Sequence, residues 1–242
     1  MSKKQHPNKK FTNVTQRNTI IGNVRFPYTL NKEGAGFGRI IASSSAQARC
    51  QYISIPQGNH HGGWLIDQRL TENSDTFSSI LSALNAKWGG KEVFVSLVFE
   101  DGSRLRLGGA SCGLAAFLAL FGIKTEVVVT GYVQSFGIPA ADIPIYAVDS
   151  VDEKIEFAQL HNELLIVPAT SDSLILQQMI RQQLVTTVNG MVYNQGPDVF
   201  TLGAVKSFTD LAFVLCAMDS AIGGSLKVKD FFPRHEKAFF RD

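Results

Sequence analysis

The sequence predicts a single α+β domain, and three observations support this fold class. The chain has 242 residues, of which 45% are hydrophobic, so it can bury a substantial core. Strand-like segments rich in β-branched residues fill the first part of the chain, and helical segments alternate with further strands later. No long low-complexity linker or internal repeat divides it. We therefore expect a leader at 1–18, one domain at 19–220 and a C-terminal tail at 221–242.

The first half is predicted to contain four strands and one helix. Glycine-rich or polar stretches separate the first three strands. The helix has apolar residues at helical spacing and stops at Gly89 and Gly90, a typical C-terminal signal. The predicted strands are 19–27, 38–44, 49–55 and 92–100, the helix is 76–88, and a polar loop is expected at 58–63.

The second half is predicted to be richer in helix. An apolar run that begins at Cys112 is too long for most strands and ends before Gly122, which favours an apolar helix. A β-branched segment and a short apolar segment ending in proline indicate two strands. The predicted helices are 112–121, 151–161, 173–183 and 208–218, and the strands are 126–133 and 164–168.

Charge and composition exclude several classes of protein. The formal net charge is +2, but residues 1–18 carry five basic residues and no acid, so the rest of the chain has a charge of −3. A basic leader is either solvated or contacts nucleic acid, and the lack of a nucleic-acid motif argues against a nucleic-acid partner. The longest apolar run, 114–123, is ten residues, about half of what a bilayer requires, so no membrane association is expected.

The cysteines and histidines predict neither a disulfide framework nor a metal site. Three cysteines (Cys50, Cys112 and Cys216) lie far apart, which favours a reducing, cytoplasmic location. Side chains of the adjacent His60 and His61 would point apart in an extended chain, and no acid or cysteine joins them. We expect no cofactor and no metal.

A serine in a glycine-rich turn is the first chemical signal. Ser111 lies in the segment Gly108–Gly113, which consists of small residues and precedes the apolar helix. Small neighbours permit a substrate backbone to approach, and a helix N-terminus offers free amides and a partial positive charge to an oxyanion. Serine before a helix is most often an N-cap, and the segment alone leaves that alternative open. Cys112 is better explained as a small buried residue than as the nucleophile.

A distant lysine is the second signal. Lys154 lies at the start of a predicted helix that contains acids and runs into a buried strand. A lysine whose amine is kept neutral by burial can act as the base for a serine nucleophile, although most lysines are at the surface. The nearby Asp149, Asp152 and Glu153 are expected to cap this helix, and their charge would favour the protonated lysine.

Taken together, these segments resemble the proteolytic domain of the Lon family of Ser-Lys peptidases, whose α+β fold is ribosomal-protein-like. The family motif Asp-Gly-Pro-Ser-Ala-Gly aligns with Gly108–Gly113, and Gly-Gly-Leu-Lys-Glu-Lys aligns with Asp149–Lys154. The 43-residue spacing from Ser111 to Lys154 fits the family. Val129-Thr130-Gly131 resembles its Met-Thr-Gly motif. The likeness covers about four fifths of the chain, mostly as pattern.

The sequence also departs from the family pattern. Gly108 replaces the family's aspartate and Ala110 its proline, Asp149-Ser150 replaces Gly-Gly, and Tyr132 replaces the acid that often follows Thr-Gly. No G-x-x-x-x-G-K-[ST] pattern occurs, so this chain alone would not couple proteolysis to ATP. The birnavirus polyprotein proteases are compact relatives of this kind, and for such an enzyme the host cytoplasm is the expected location.

The resemblance implies a role for each site residue. Ser111 would be the nucleophile and Lys154 the base, Thr130 would orient the lysine amine, and the amides of Ala110 and Ser111 would bind the oxyanion. A peptide or protein substrate would lie along the segment 105–109, which includes Leu107, Gly108 and Gly109. Precedents for a homo-oligomer and for a monomer both exist. Two other interpretations stay open, a catalytically inactive Lon-like binding or assembly module and a nucleic-acid-binding domain.

Overall fold

A computed structural model describes residues 19–30, 34–56, 63–107, 109–134, 143–181, 186–188, 191–193 and 202–232. The helices are α1 (Ser74–Lys87), α2 (Gly113–Leu120), α3 (Val151–Leu160), α4 (Leu174–Arg181), α5 (Phe208–Ala221) and α6 (Val228–Phe231), with a 3₁₀ turn at Gln68–Thr71. The strands are β1 (Ile20–Leu30), β2 (Gly34–Ser43), β3 (Tyr52–Pro56), β4 (Gly63–Asp67), β5 (Val93–Phe99), β6 (Lys124–Val129), β7 (Tyr132–Val133), β8 (Ile145–Tyr146), β9 (Leu165–Pro168), β10 (Thr186–Val188), β11 (Met191–Tyr193) and β12 (Leu202–Val205). The α+β class predicted from the sequence is confirmed.

Eight of these strands form one mixed sheet in the order β12-β9-β6-β1-β2-β5-β4-β3. Strands β12, β9, β6 and β1 are parallel to one another, and β4 is parallel to β5. Strand β2 is antiparallel to both β1 and β5, and β3 is antiparallel to β4. The carboxyl ends of β5, β1 and β6 consequently meet at one end of the sheet, where substrates of mixed sheets often bind.

Helices cover both faces of the sheet, because the central strands present apolar side chains on both faces. On β6, Val127 and Val129 pack into the larger apolar cluster with α1, α2 and α5. Val128 between them packs into the second cluster with α3 and α4. Successive side chains of a strand point to opposite faces, so α2 and α3 lie on opposite sides of the sheet.

An ion network ties the end of α3 to the sheet. Arg25 on β1 is 7% exposed, and its guanidinium donates to Glu100 and to Glu163, which follows α3, both at 2.8 Å. The same guanidinium lies 4.7 Å above the Phe37 ring. These carboxylates and their hydrogen bonds raise the pKa of Arg25 against the opposing effect of burial. The Arg25 side chain therefore links β1 to the segment that follows α3.

Some observed elements differ from the predicted ones. The strand predicted at 126–133 is divided into β6 and β7 because Gly131, with φ of 129°, turns the backbone between them. The sequence did not predict helix α6 or the strands β4, β8, β10, β11 and β12. Part of the segment predicted as a C-terminal tail, residues 221–232, packs against the core, where Phe231 is fully buried. The predicted leader at 1–18, His60, His61 and the end of the tail lie outside the described residues.

The helix α2 accounts for the long apolar run of the sequence. All eight of its residues are buried, because α1, the sheet and Phe208 of α5 surround it. In the described part of the chain, no helix combines the length and apolar character that crossing a bilayer requires.

Candidate active site

Ser111 lies in the turn that leads from β5 into α2. The N-cap residue of α2 is Cys112, and its side chain makes no capping hydrogen bond. Gly113 begins the helix, and a Cβ there would lie 2.8 Å from the Cβ of Tyr132 and 2.9 Å from the Oγ of Ser79. The small residue therefore permits the close approach of α2 to its neighbours. Ser111 does not cap the helix through its hydroxyl, so the N-cap interpretation of this serine does not hold.

The Thr130-Gly131 segment holds the start of α2 in place. The hydroxyl of Thr130 donates to the Ser111 carbonyl at 3.5 Å, and the amide of Leu114 donates to the Gly131 carbonyl at 2.8 Å. Gly131 has a φ of 129°, where a side chain would be strained. The segment between β6 and β7 therefore fixes the backbone of the serine turn.

Lys154 lies in the first turn of α3 and is 2% exposed. Its amine donates a hydrogen bond to the carbonyl of Asp149. Burial lowers the pKa of Lys154 to about 8, and the charges of Asp149 and Glu153 oppose this shift but do not cancel it. A substantial fraction of this amine is thus neutral near pH 8, as a general base requires.

A left-handed residue directs the Asp149 carbonyl towards the lysine. Ser150, the N-cap of α3, has φ of 54° and ψ of 40°, and its side chain makes no capping hydrogen bond. This conformation favours glycine and is uncommon for serine. The turn brings the carbonyl of residue 149 back against the side chain of residue 154, one helical turn later.

Ser111 and Lys154 line the same cavity, which has a volume of about 400 Å³. Its walls are the carboxyl end of β1 (residues 28–30), segment 106–111 without the undescribed Gly108, and the turn at 149–150. No hydrogen bond joins Ser111 Oγ to Lys154 Nζ in the described part of the chain. Among the same residues, the amides of Ala110 and Ser111 donate to no acceptor.

The structure gives two predicted residues different partners from those expected. Thr130, expected to hold the lysine amine, instead donates to the Ser111 carbonyl. Asp152 caps α4 rather than its own helix, since its carboxylate accepts from the amides of Leu174 and Ile175 at 3.1 and 3.3 Å. The N-cap residue of helix α3 is instead Ser150, whose backbone is left-handed.

The remaining predicted residues lie around the cavity or away from it. Leu107 and Gly109, expected along the substrate, line the cavity, and Gly108 lies outside the described residues. Cys112 is fully buried next to the Thr76 hydroxyl, and burial raises the pKa of its thiol to about 12, which disfavours the thiolate. Cys50, Cys112 and Cys216 are all free thiols.

Sequence reasoning missed three contributors to the cavity. Residues 28–30, at the carboxyl end of β1, line the cavity because β1 pairs with β6 in parallel and ends next to the cavity. The sheet order that causes this could not be deduced from local patterns. The position of the Asp149 carbonyl depends on the left-handed turn. The position of Arg106 depends on the course that segment 102–107 takes after β5. Among the described residues, no group of three or more histidine, cysteine or acidic side chains could hold a metal ion.

Comparison of the sequence with known protein-family models gives no match, and comparison with curated proteins also gives none.

Proposed function

We propose that this chain is a serine endopeptidase that uses Ser111 as nucleophile and Lys154 as general base. One observation carries the proposal: a fully buried lysine with a lowered pKa shares a cavity with a serine hydroxyl that is not used to cap its helix. Burial favours the neutral amine, so the serine can be activated without a histidine or an acid. Buried groups with perturbed pKa values are common at catalytic sites, where they act as acids and bases.

The chemistry follows from the groups in the cavity. A neutral Lys154 takes the proton of the Ser111 hydroxyl while the serine oxygen attacks the carbonyl carbon of a peptide bond. Lys154 then gives the proton to the leaving amine as the carbon–nitrogen bond breaks, and an acyl-serine remains. A water molecule, deprotonated by the same lysine, hydrolyses the ester and restores both groups. For the first transfer, the amine must turn from the Asp149 carbonyl towards Ser111.

The oxyanion of each tetrahedral intermediate needs hydrogen-bond donors. The amides of Ala110 and Ser111 lie before the N-terminus of α2, whose dipole adds a partial positive charge. Donors of this type contribute about 3–4 kcal/mol each to transition-state stabilisation. Thr130 would act as a positioning residue, because its hydroxyl holds the Ser111 carbonyl and so orients the serine turn.

Two local features support a Lon-like proteolytic fold within the α+β class. The second glycine of the family's lysine motif aligns with Ser150, which has the left-handed conformation that glycine adopts easily. The glycine of the Thr-Gly motif aligns with Gly131, whose φ of 129° also requires glycine. A divergent form that processes a polyprotein is the variant of this function that we favour.

The proposal is tested with a library of fluorogenic peptides. We expect cleavage that increases with pH to a plateau above an apparent pKa near 8, and loss of cleavage in Ser111→Ala and Lys154→Met. Ser74→Ala, at an exposed serine at the start of α1, is the matched control and should retain full activity. A sulfonyl fluoride or another serine acylator should add its mass at Ser111. Full activity in Ser111→Ala would refute the proposal.

A non-catalytic Lon-like binding module is the second candidate. It is favoured by the absence of a hydrogen bond between Ser111 and Lys154 among the described residues, and by the amine's bond to the Asp149 carbonyl. This candidate predicts no adduct with serine acylators and no cleavage of any peptide. It also predicts peptide binding that is equal in the wild-type chain and in Ser111→Ala.

A further inference from the structure

A second cavity, rich in arginine, adjoins the candidate active site. Its volume is about 290 Å³, and four arginines and two acids line it, which leaves a net charge of +2. Residues 19–242, by contrast, have a net charge of −3. Arg106 lines both this arginine cavity and the cavity that contains Ser111, so the two cavities adjoin at this residue.

The acids of the arginine cavity neutralise part of its positive charge. Asp67 is buried and accepts two hydrogen bonds from the Arg69 guanidinium, at 3.0 and 2.7 Å, so this pair is neutral. Glu72 lies 3.8 Å from Arg106, whose side chain is 83% exposed. A contact of this length to a solvated side chain is weak.

Two guanidiniums of the cavity have no such partner. Arg49 and Arg104 form no ion pair or hydrogen bond with any described residue, and both are exposed. Arg49 also has a φ of 73°, an uncommon backbone conformation for a residue other than glycine. Unpaired guanidiniums at a cavity wall bind carboxylates with two parallel hydrogen bonds, which lysine does not provide.

The segment between the cavities has a free backbone. Residues 104–107 follow the turn after β5 without regular structure, and their amides and carbonyls make no hydrogen bond with any described residue. An extended peptide can pair with such a segment as an additional strand. Leu107 lies at the serine cavity, and Arg104 lies three residues away, about 10 Å along an extended chain.

We infer that the arginine cavity is a subsite for acidic side chains of the peptide substrate. The inference rests on the proposed function in that it assigns the substrate's chemical class. A peptide bound along residues 104–107 would present a glutamate or aspartate to Arg49 and Arg104 when that residue lies three or four positions from the bond at Ser111. The enzyme therefore prefers sites with acids at that distance.

Binding is measured separately from cleavage, in the Ser111→Ala background. The probes are two fluorescein-labelled ten-residue peptides that differ only in carrying two glutamates or two glutamines at the positions facing the cavity. We expect the glutamate peptide to bind about fivefold more tightly in 50 mM salt, the upper end for one exposed ion pair. In Arg104→Gln the ratio of the two Kd values should fall towards one. Arg181→Gln removes an exposed charge at the end of α4 and should leave the ratio at about five.

Each result decides between the two proposals. Equal Kd values for the two peptides, or the same ratio in Arg104→Gln as in Arg181→Gln, would overturn the acidic subsite even if the wild-type chain cleaves peptides. A ratio that depends on Arg104, without cleavage of any peptide of the fluorogenic library by the wild-type chain, would support the subsite and refute the peptidase. Binding of a single-stranded RNA 12-mer that is tighter than that of the glutamate peptide and that weakens in Arg104→Gln would assign the cavity to nucleic acid and also overturn the inference.

Discussion

Replacing Lys154 by methionine should make the folded chain more stable while removing its proposed base. The pKa of this lysine falls from 10.5 to about 8 on burial, and such a difference corresponds to about 3 kcal/mol against the charged form. Methionine has a similar volume and no charge. It leaves the Asp149 carbonyl without its donor, at a cost of about 1 kcal/mol. The net gain at pH 7 is therefore about 2 kcal/mol, or about 4–8 °C in Tm.

The sign of the pH dependence follows from proton binding. Below pH 8 the lysine is protonated in both the folded and the unfolded chain, so the wild type carries the full penalty. Between about pH 8 and pH 10.5 the unfolded chain binds more protons than the folded one, and the free energy of unfolding of the wild type rises with pH. The advantage of Lys154→Met should accordingly be largest at pH 7 and should decline through this range.

Urea denaturation of the wild type and Lys154→Met at pH 7, 9 and 10 measures the difference in their free energies of unfolding. Titrations of groups common to both proteins cancel in this difference. Lys124→Met, at an exposed position on β6, is the matched control and should show a small difference that does not change with pH. The reasoning is refuted if Lys154→Met is less stable than the wild type at pH 7, or if its difference from the wild type is the same at all three values.

Three further substitutions test the backbone turn, the helix packing and the helix cap described above. Ser150→Gly should stabilise the chain by about 1 kcal/mol, since glycine adopts a φ of 54° without strain. Thermal unfolding measures this gain, and a lowered Tm would contradict the left-handed turn. Gly113→Ala should destabilise by about 1–3 kcal/mol, because its Cβ would lie 2.8 Å from that of Tyr132, and a neutral effect in urea denaturation would be inconsistent with this packing. Asp152→Ala removes the acceptor for the Leu174 amide and should cost about 1–2 kcal/mol; hydrogen exchange should then increase in α4, and exchange unchanged there would argue against the cap.

Elements with a strong repeating pattern were predictable from the sequence. The apolar run of α2 predicted an apolar helix, and every residue of α2 is buried. The short strands were not predictable in this way. β12 contains Gly203 and Ala204, which have little strand propensity, and it forms because it pairs with β9 and because Gly203 lets α5 approach closely. Tertiary packing decides such segments.

The residues of the candidate site also divide into those that local sequence patterns predict and those that tertiary packing positions. Ser111 and Lys154 could be named from two motifs and their spacing, because each motif depends on residue types close together in the chain. The Asp149 carbonyl could not, since a serine at position 150 does not predict a left-handed backbone. Arg104 and Arg106 belong to a segment without regular structure, whose course is determined by how it leaves β5.

The positions of α2 and α3 on opposite faces of the sheet have a consequence for biosynthesis. A ribosome adds Lys154 43 residues after Ser111, an interval of roughly 2–9 s at ordinary rates of synthesis. During that time the nascent chain contains the serine turn and the β1–β6 strands but no base. On the proposed function, a partly synthesised chain cannot cleave its neighbours, and activity begins when the second helical layer closes over the sheet.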